Sequence, residues 1–198
     1  MGNHTTAGAA TVNLLDGRRV LLRPLRVEDA DAVLVLHKNL PEDDRYLRFF
    51  TTRPGHLEQL ARQLTEANTG CALGAFDAGR LIGVANYVVS DDPHVADIAV
   101  AVAHDKHGVG VGTALMRQLG QIAFSRGIHR FTADVLATND LMRQMLSDTR
   151  WPHTIHREDA QVFGVEIEVP EPASTTAKAG GVARAASPPR RHRRDCRW

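Results

Sequence analysis

ADIAVAVAHDKHGVGVGTAL, which runs from Ala96 to Leu115, determines how the rest of the chain can be interpreted. It begins as an apolar strand, continues through a loop with three alternating glycines, and ends in the apolar spacing of a helix. Such a loop presents unpaired backbone N–H groups at the positive end of a helix dipole, and its glycines let an anion approach the backbone. The stretch therefore predicts a phosphate-binding turn; a glycine-rich turn that only joins strand to helix is the alternative.

Two better-known glycine-rich phosphate loops do not match this stretch. A Walker A loop ends in Gly-Lys-Ser/Thr, whereas Gly112 is followed by Thr-Ala. A dinucleotide fingerprint has glycine or alanine at its sixth position, where this chain has Thr113 counted from Gly108 and Leu115 counted from Gly110. The strand, loop and helix also follow a predicted antiparallel hairpin instead of opening a βαβ unit. The loop is therefore neither of these nucleotide motifs.

The flanking sequence predicts one α/β domain built on a mixed sheet. Apolar and β-prone runs predict strands at residues 19–25, 71–76, 81–89, 94–103, 129–136, 153–158 and 161–169. Helical spacing predicts helices at residues 27–40, 56–64, 111–126 and 139–148. The result is a sheet of about seven strands flanked by about four helices, with a glycine, Gly127, at the expected end of the third helix.

Composition excludes several other classes of protein. The 198 residues are 43% hydrophobic, enough for one buried core, yet no run approaches the roughly 20 apolar residues of a membrane helix. The N-terminus lacks the basic and apolar regions of a secretory signal. Two cysteines, Cys71 and Cys196, cannot build a disulfide framework. A cytoplasmic protein is therefore expected.

Charge divides the chain into three predicted parts: a flexible lead-in of residues 1–15, a folded domain of residues 16–169 and a disordered tail of residues 170–198. The tail carries seven basic and two acidic residues, a net charge of +5, and almost no large apolar side chain. The preceding residues carry −4. The RRHRR run could add phosphate contacts, but no aromatic residues are interleaved with it, so a nucleic-acid partner is not favoured.

Ten histidines raise the question of a metal site. His153 and His156 are three residues apart in a predicted strand, so their side chains point to opposite faces. His104 and His107 flank the glycine loop without a cysteine or carboxylate at helical spacing. Scattered surface histidines explain this pattern better, and the sequence predicts no metal.

The run His107-Gly108-Val109-Gly110-Val111-Gly112 resembles the acyl-CoA pyrophosphate loop of the GNAT-superfamily N-acyltransferases, Gln/Arg-x-x-Gly-x-Gly/Ala. DDRYLRFF (43–50), LIGVANYV (81–88), VADIAVAVAHD (95–105) and RFTADVLATNDLM (130–142) are similar to the Pat-type bacterial protein lysine acetyltransferases. The resemblance covers roughly residues 16–169. It implies a GNAT fold and direct transfer of an acetyl group from acetyl-CoA to an amine, such as lysine side chains of metabolic enzymes, without a metal.

The resemblance also implies a set of cofactor-binding residues. Three strand residues would pair with the pantetheine arm, the loop amides would bind the pyrophosphate, and an asparagine at the start of the last helix would contact the cofactor arm. These residues are Val100, Ala101, Val102, His107, Gly108, Val109, Gly110, Val111, Gly112, Thr113 and Asn139. For Asn139 an ordinary helix N-cap is the alternative.

The implied catalytic residue is Asp97, at a position where the Pat-type pattern has a glutamate that acts as general base through ordered water. The aspartate is one methylene shorter, and a solvated carboxylate at the strand is the alternative. The oxyanion would be stabilised by a strand amide near Val100. Leu146 stands where many members of the superfamily have a tyrosine.

Other departures concern the loop, the last helix and the acceptor site. His107 replaces Gln or Arg, and Arg150-Trp151 replaces a Gly-Phe that ends the last helix, which implies a strained or different ending. The set Tyr46, Arg48, Phe49 and Phe50 either shapes the acceptor site or packs between helices. Two other functions remain open: acetylation of a small amine, and a non-catalytic module that senses acyl-CoA.

Overall fold

Residues 8–66, 70–157 and 159–172 are described by the computed structural model. The strands in this part of the chain are β1 Ala10–Asn13, β2 Arg19–Pro24, β3 Gly70–Asp77, β4 Arg80–Val89, β5 Val95–Val102, β6 Arg130–Leu136, β7 His153–Arg157 and β8 Val162–Glu168. The α-helices are α1 Ala30–Lys38, α2 Glu42–Phe49, α3 Leu57–Glu66, α4 Val111–Ser125 and α5 Asp140–Thr149.

The strands form one mixed sheet in the order β1-β2-β3-β4-β5-β6-β8-β7. Every neighbouring pair is antiparallel except β5 and β6, which are parallel. The predicted mixed α/β fold is therefore confirmed, with eight strands and five helices described in place of about seven and four. The β3–β4 hairpin turns through Ala78 and Gly79, both at positive φ, as a two-residue turn requires.

The additional strand lies inside the predicted lead-in, so that part of the prediction is wrong. Residues Ala10–Asn13 pair with β2, and the Gly8 carbonyl accepts a hydrogen bond from the Gln118 side chain of α4 at 3.2 Å. This four-residue strand, with Val12 as its one large apolar side chain, is too short to show a pattern of its own and is stabilised by its partner strand. Residues 1–7 of the lead-in and 173–198 of the tail lie outside the described residues.

The two faces of the sheet carry separate apolar clusters. Helix α4 buries Leu115, Leu119 and Ala123 against one face, where Phe131 of β6 is fully buried. Helices α1 and α3 pack on the opposite face, where they bury a second cluster. Alternate residues of β5, namely Ala96, Ile98, Val100 and Val102, belong to the cluster under α4, so this face of the strand packs toward α4.

Within the described ranges, no helix is both long and apolar enough to cross a membrane.

Helix α5 ends in a left-handed residue even though no glycine is present. Arg150 has φ 58° and ψ 25°, and its N–H donates to the Leu146 carbonyl. The next side chain, Trp151, lies over Gly120 of α4, where an added Cβ would come within 2.2 Å of the indole ring. The chain therefore keeps the left-handed ending, and the conformation strains an arginine.

Replacement of Arg150 by glycine is expected to raise the free energy of unfolding by about 1 kcal/mol, because glycine adopts positive φ without a Cβ penalty. The matched control is Arg143→Gly in the exposed interior of the same helix, which should lower it by about 1 kcal/mol. Urea unfolding of both variants measures the two effects. Changes of the same sign would contradict the strain assigned to Arg150.

Candidate active site

A cleft opens in the sheet where β5 and β6 stop pairing. The two strands pair only at Val95–Asp97 with Arg130–Thr132, although both continue beyond these residues. A cavity of about 710 Å³ lies between the separated strand ends, bounded by α2, by the loop before α4 and by the start of α5. The cleft therefore lies at the carboxyl ends of the only parallel pair in the described sheet.

Backbone alternation decides which peptide groups of β5 face this cleft. The Ala103 N–H donates to the Ile82 carbonyl of β4 at 2.9 Å. Successive peptides point to opposite sides, so Ala101 forms a hydrogen-bonded pair with Val84, while Val100 and Val102 point away from β4. The peptide groups of Val100 and Val102 face the cleft, and Ala101 holds β5 to its neighbour.

The glycine loop presents a row of free donors to the same cleft. Gly108 and Gly110 have φ 74° and 91°, and Gly110 is the residue before the first turn of α4. No acceptor in the described part of the chain pairs with the backbone N–H groups of residues 108–113; the first helical bond runs from Ala114 to the Gly110 carbonyl at 3.0 Å. The loop and the start of α4 can therefore hold an anion.

Val109 differs from the rest of the predicted loop. Its side chain packs against the core, and its carbonyl accepts the Leu15 N–H at 3.0 Å. The remaining loop residues, His107, Gly108, Gly110, Val111, Gly112 and Thr113, line the cleft. Val109 thus contributes a backbone N–H while its side chain anchors the loop.

Asn139 lies at the other helix N-terminus that faces the cleft. Its Oδ1 accepts the Met142 N–H at 3.0 Å, so it is the N-cap of α5. The residue also lines the cleft, so it lies where the predicted contact with a cofactor could be made.

Asp97 lies at the point where the cleft begins, in the last β5–β6 pair before the strands separate. Its carboxylate is exposed and accepts a hydrogen bond from the Thr132 hydroxyl. A second carboxylate, Asp134, lies two residues further along β6, on the same face as Thr132, and lines the cleft. Asp134 was not predicted as a site residue, because its position follows from where the β5–β6 pairing ends, which the sequence does not mark.

Helix α2 forms the wall on the other side of the cleft. Arg48 and Phe50 line it, whereas Phe49 packs against His37 with ring centroids 5.7 Å apart and Tyr46 does not line it. Arg48 and Phe50 therefore lie where they could contact an acceptor, whereas Phe49 packs between helices. Burial, and secondarily the positive charge of Arg48, lowers the pKa of His37 to about 4, so the imidazole is neutral at pH 7.

Arg48 is a half-buried cation without an anionic partner in the described ranges. Its Nε is buried and has no hydrogen-bond partner, and its guanidinium carbon lies 5.0 Å from the centroid of the Phe49 ring. Burial lowers the pKa of Arg48 to about 10, which leaves the group charged at neutral pH. A half-buried cation that has no anionic partner and lines a cleft favours an anionic ligand.

The two histidines beside the glycine loop have a carboxylate neighbour that is distant in the sequence. In the folded chain Asp44 of α2 lies beside the glycine loop, with its Oδ2 2.9 Å from His104 Nδ1 and 3.8 Å from His107 Nε2. A carboxylate therefore does accompany the two histidines, contributed from 60 residues earlier in the chain.

Comparisons with known proteins agree with this geometry. The family model for the Acetyltransferase (GNAT) family matches residues 38–147, more than half of the chain. The acetyltransferase PA5475 of Pseudomonas aeruginosa is 29% identical over an alignment of 139 residues that covers 67% of this chain and 75% of the relative. The chain belongs to the GNAT acetyltransferase family.

Two solved structures show the same fold. The GNAT domain of S. lividans PAT superposes with a TM-score of 0.74 and 25% identity, over 84% of this chain and 99% of that domain. The structure of yncA from Salmonella typhimurium, determined with its cofactor acetyl-CoA, superposes with a TM-score of 0.60 and 16% identity over 80% of this chain and 99% of that one. The protein is an acetyltransferase, and acetyl-CoA is the cofactor present in the yncA structure.

The residues of the cleft fit such a cofactor. A diphosphate requires several hydrogen-bond donors, and the free N–H groups of residues 108–113 provide them. The space beside the Gly108 backbone is open, because a Cβ built there would meet no atom within 4 Å. The cleft-facing peptides of Val100 and Val102 offer the hydrogen bonds that an amide-containing arm requires.

The variant Gly110→Asp is expected to weaken acetyl-CoA binding on the order of tenfold or more, because it adds a negative charge to the diphosphate site. Gly127→Asp is the matched control: Gly127 also has positive φ, 84°, but it lies beyond the far end of α4 in open space. Calorimetric titration of acetyl-CoA into both variants and the wild type measures the difference. Equal affinity in the two variants would place the diphosphate elsewhere.

Proposed function

We propose that this acetyltransferase modifies lysine side chains of proteins, metabolic enzymes among them, by direct attack of the amine on acetyl-CoA. The observation that carries the proposal is the likeness to the GNAT domain of S. lividans PAT, with a TM-score of 0.74 over 99% of that domain. The residues that resemble the Pat-type enzymes add support, because they include the α2 wall and the strand that carries Asp97.

On the donor side, acetyl-CoA supplies a thioester, and residues of this chain hold it. The backbone N–H groups of His107, Gly108, Val109, Gly110, Val111, Gly112 and Thr113 are proposed to surround the diphosphate, assisted by the dipole of α4. Val100 and Val102 are proposed to pair with the pantetheine arm, with Ala101 keeping β5 in register on β4. Asn139 combines capping of α5 with a contact to the same arm.

On the acceptor side, the amine must lose a proton before it can attack. A lysine amine has a pKa near about 10.4, so a base has to accept that proton at neutral pH. Asp97 is proposed as this base, through a water molecule, with the Thr132 hydroxyl fixing the carboxylate. The Val100 N–H, which faces the cleft, is proposed to stabilise the oxyanion.

The leaving group needs no acid from the protein. Leu146, at the position of the tyrosine that many members of the superfamily have, is buried and cannot donate a proton. A thiol has a pKa near about 8.5, so the sulfur can leave as a thiolate and take up its proton from water.

The variant Asp97→Asn should lower turnover of a lysine peptide by a factor on the order of 100, with acetyl-CoA affinity unchanged, because it removes the base and not the donor site. Asp97→Glu should retain turnover, since it keeps the carboxylate. Asp134→Asn is the matched control, a second carboxylate on the same sheet face. Steady-state rates from pH 6 to 9 measure all three, and a loss confined to Asp134→Asn would transfer the role to Asp134.

A second candidate acceptor is a small amine that also carries a carboxylate. The half-buried Arg48 in the α2 wall, whose Nε is unpaired, favours it, because a guanidinium binds a carboxylate through two parallel hydrogen bonds. The lysine of a protein carries no such group next to its amine. Whether Arg48 binds a carboxylate of the acceptor therefore distinguishes a small amine from a protein lysine.

With Arg48→Met, KM for a carboxylate-bearing amine should rise on the order of tenfold or more, while KM for the same amine as its methyl ester should stay unchanged. Arg45→Met is the control, since Arg45 lies on α2 outside the cleft lining. Initial rates with the acid, the ester and a lysine peptide decide between the acceptors. Equal effects on acid and ester would remove the reason for the small-amine candidate.

A further inference from the structure

A cluster of three metal-ligating side chains lies where α2 meets the turn after β5. Asp44 comes from α2, and His104 and His107 come from the turn that leads into the glycine loop. Asp44 Oδ2 lies 2.9 Å from His104 Nδ1 and 3.8 Å from His107 Nε2, and all three ligand atoms lie within 4.8 Å of one another. The acetyl-transfer chemistry assigns no role to His104 or Asp44.

We propose that Asp44, His104 and His107 bind one divalent transition-metal ion of the Zn²⁺ class, and that the ion ties α2 to the glycine loop. Two imidazole nitrogens and one carboxylate oxygen are the donor set that Zn²⁺ and Co²⁺ accept. Ca²⁺ and Mg²⁺ prefer oxygen ligands throughout. The donor set therefore selects the transition metals.

The spacing of the ligand atoms suits a tetrahedral ion. Metal–ligand bonds of about 2.0–2.1 Å place the ligand atoms of a tetrahedral zinc roughly 3.3 Å apart. The 2.9 Å and 3.8 Å separations lie on either side of that value. Small rotations of the side chains would bring the three atoms onto one ion.

Two of the three ligand side chains are largely buried, and the third is accessible to solvent. The side chains of Asp44 and His107 are 12% and 20% exposed, whereas that of His104 is 67% exposed. An ion can enter from the His104 side, and water can occupy the fourth position. His107 is also a feature of this chain, because the resembling loop pattern has Gln or Arg at that place, and neither provides an imidazole.

Nearby charges do not oppose such an ion strongly. The Lys106 ammonium is paired with Asp105 at 3.4 Å, and Arg80 lies 3.6 Å from the same carboxylate. Arg48, one turn after Asp44 on α2, is the remaining cation that lines this wall. Asp105 thus neutralises one of the two positive charges that flank the histidines.

The ion would also act on the cleft. His107 Nε2 lies 3.1 Å from the Val102 carbonyl, and a nitrogen that binds the metal has to give up this hydrogen bond. Val102 has its peptide groups on the cleft side of β5. Occupancy by the metal would therefore free a cleft-facing carbonyl and so couple metal binding to acetyl-CoA binding. This coupling rests on the proposed acetyl-CoA site, whereas the binding of the ion does not.

The test uses the full chain after treatment with a chelator, titrated calorimetrically with Zn²⁺. The wild type should bind one more equivalent than His104→Ala, and His104→Cys should restore it, because a thiolate is also a zinc ligand. His153→Ala, an exposed histidine on β7, is the matched control and should bind like the wild type. Any zinc bound by histidines elsewhere is present in every sample and cancels.

Two further measurements exclude a trivial result. Co²⁺ should give tetrahedral visible absorption in the wild type that His104→Ala and Asp44→Asn both lose and that excess Mg²⁺ does not displace. Without metal, the variants should share the thermal midpoint of the wild type, which shows that they fold. Equal zinc stoichiometry in the wild type and both variants would overturn the site.

The coupling has its own readout. Saturating Zn²⁺ should change the Kd of acetyl-CoA in the wild type and leave it unchanged in His104→Ala, a residue outside the donor site. Binding of acetyl-CoA without zinc tests the donor site separately, so the failure of one proposal is distinguishable from that of the other. An acetyl-CoA Kd that zinc leaves unchanged in the wild type would overturn the coupling.

Discussion

The loss of pairing between β5 and β6 beyond Asp97 and Thr132 is the constraint on which the rest of the structure depends. Peptide groups inside a sheet have to be paired, and those of Val100 and Val102 have no strand beside them. The Val102 carbonyl contacts His107 Nε2 at 3.1 Å. A ligand with amide groups can satisfy the other groups, and water can do so in its absence. The cleft, the donor site and the position of the proposed base all follow from the point where this one ladder ends.

The opening is kept because each strand is held firmly on its other side. β5 pairs with β4 over seven residues, and β6 pairs with β8 over seven residues, so each half of the sheet has its own ladder. Helix α4 packs against the β3–β5 half, while α5 packs against α4. Residues of both halves also pack in the single cluster under α4, so closing the cleft would disturb that packing.

The sequence was sufficient for features that depend on local pattern and insufficient for those that depend on distant contacts. The glycine loop, the β3–β4 hairpin and the span of α4 could be predicted because turn residues and apolar spacing mark them directly. Helix α2 was not predicted, because its eight residues are mostly charged and none of them is fully buried. The meeting of Asp44 with His104 escaped for a different reason: spacing along a chain cannot show a contact across 60 residues.

The hydrogen bond from Leu15 to the Val109 carbonyl joins the edge of the sheet to the loop that faces the cleft. Leu15 itself is 80% exposed and lies against Gly110, where an added Cβ would approach it to 3.5 Å. The turn between β1 and β2 therefore acts as a brace on the loop from outside the domain core. A protein shortened to begin at Asp16 would lose both the edge strand and the brace, so an expression clone for crystallography should retain the residues from Gly8 onward.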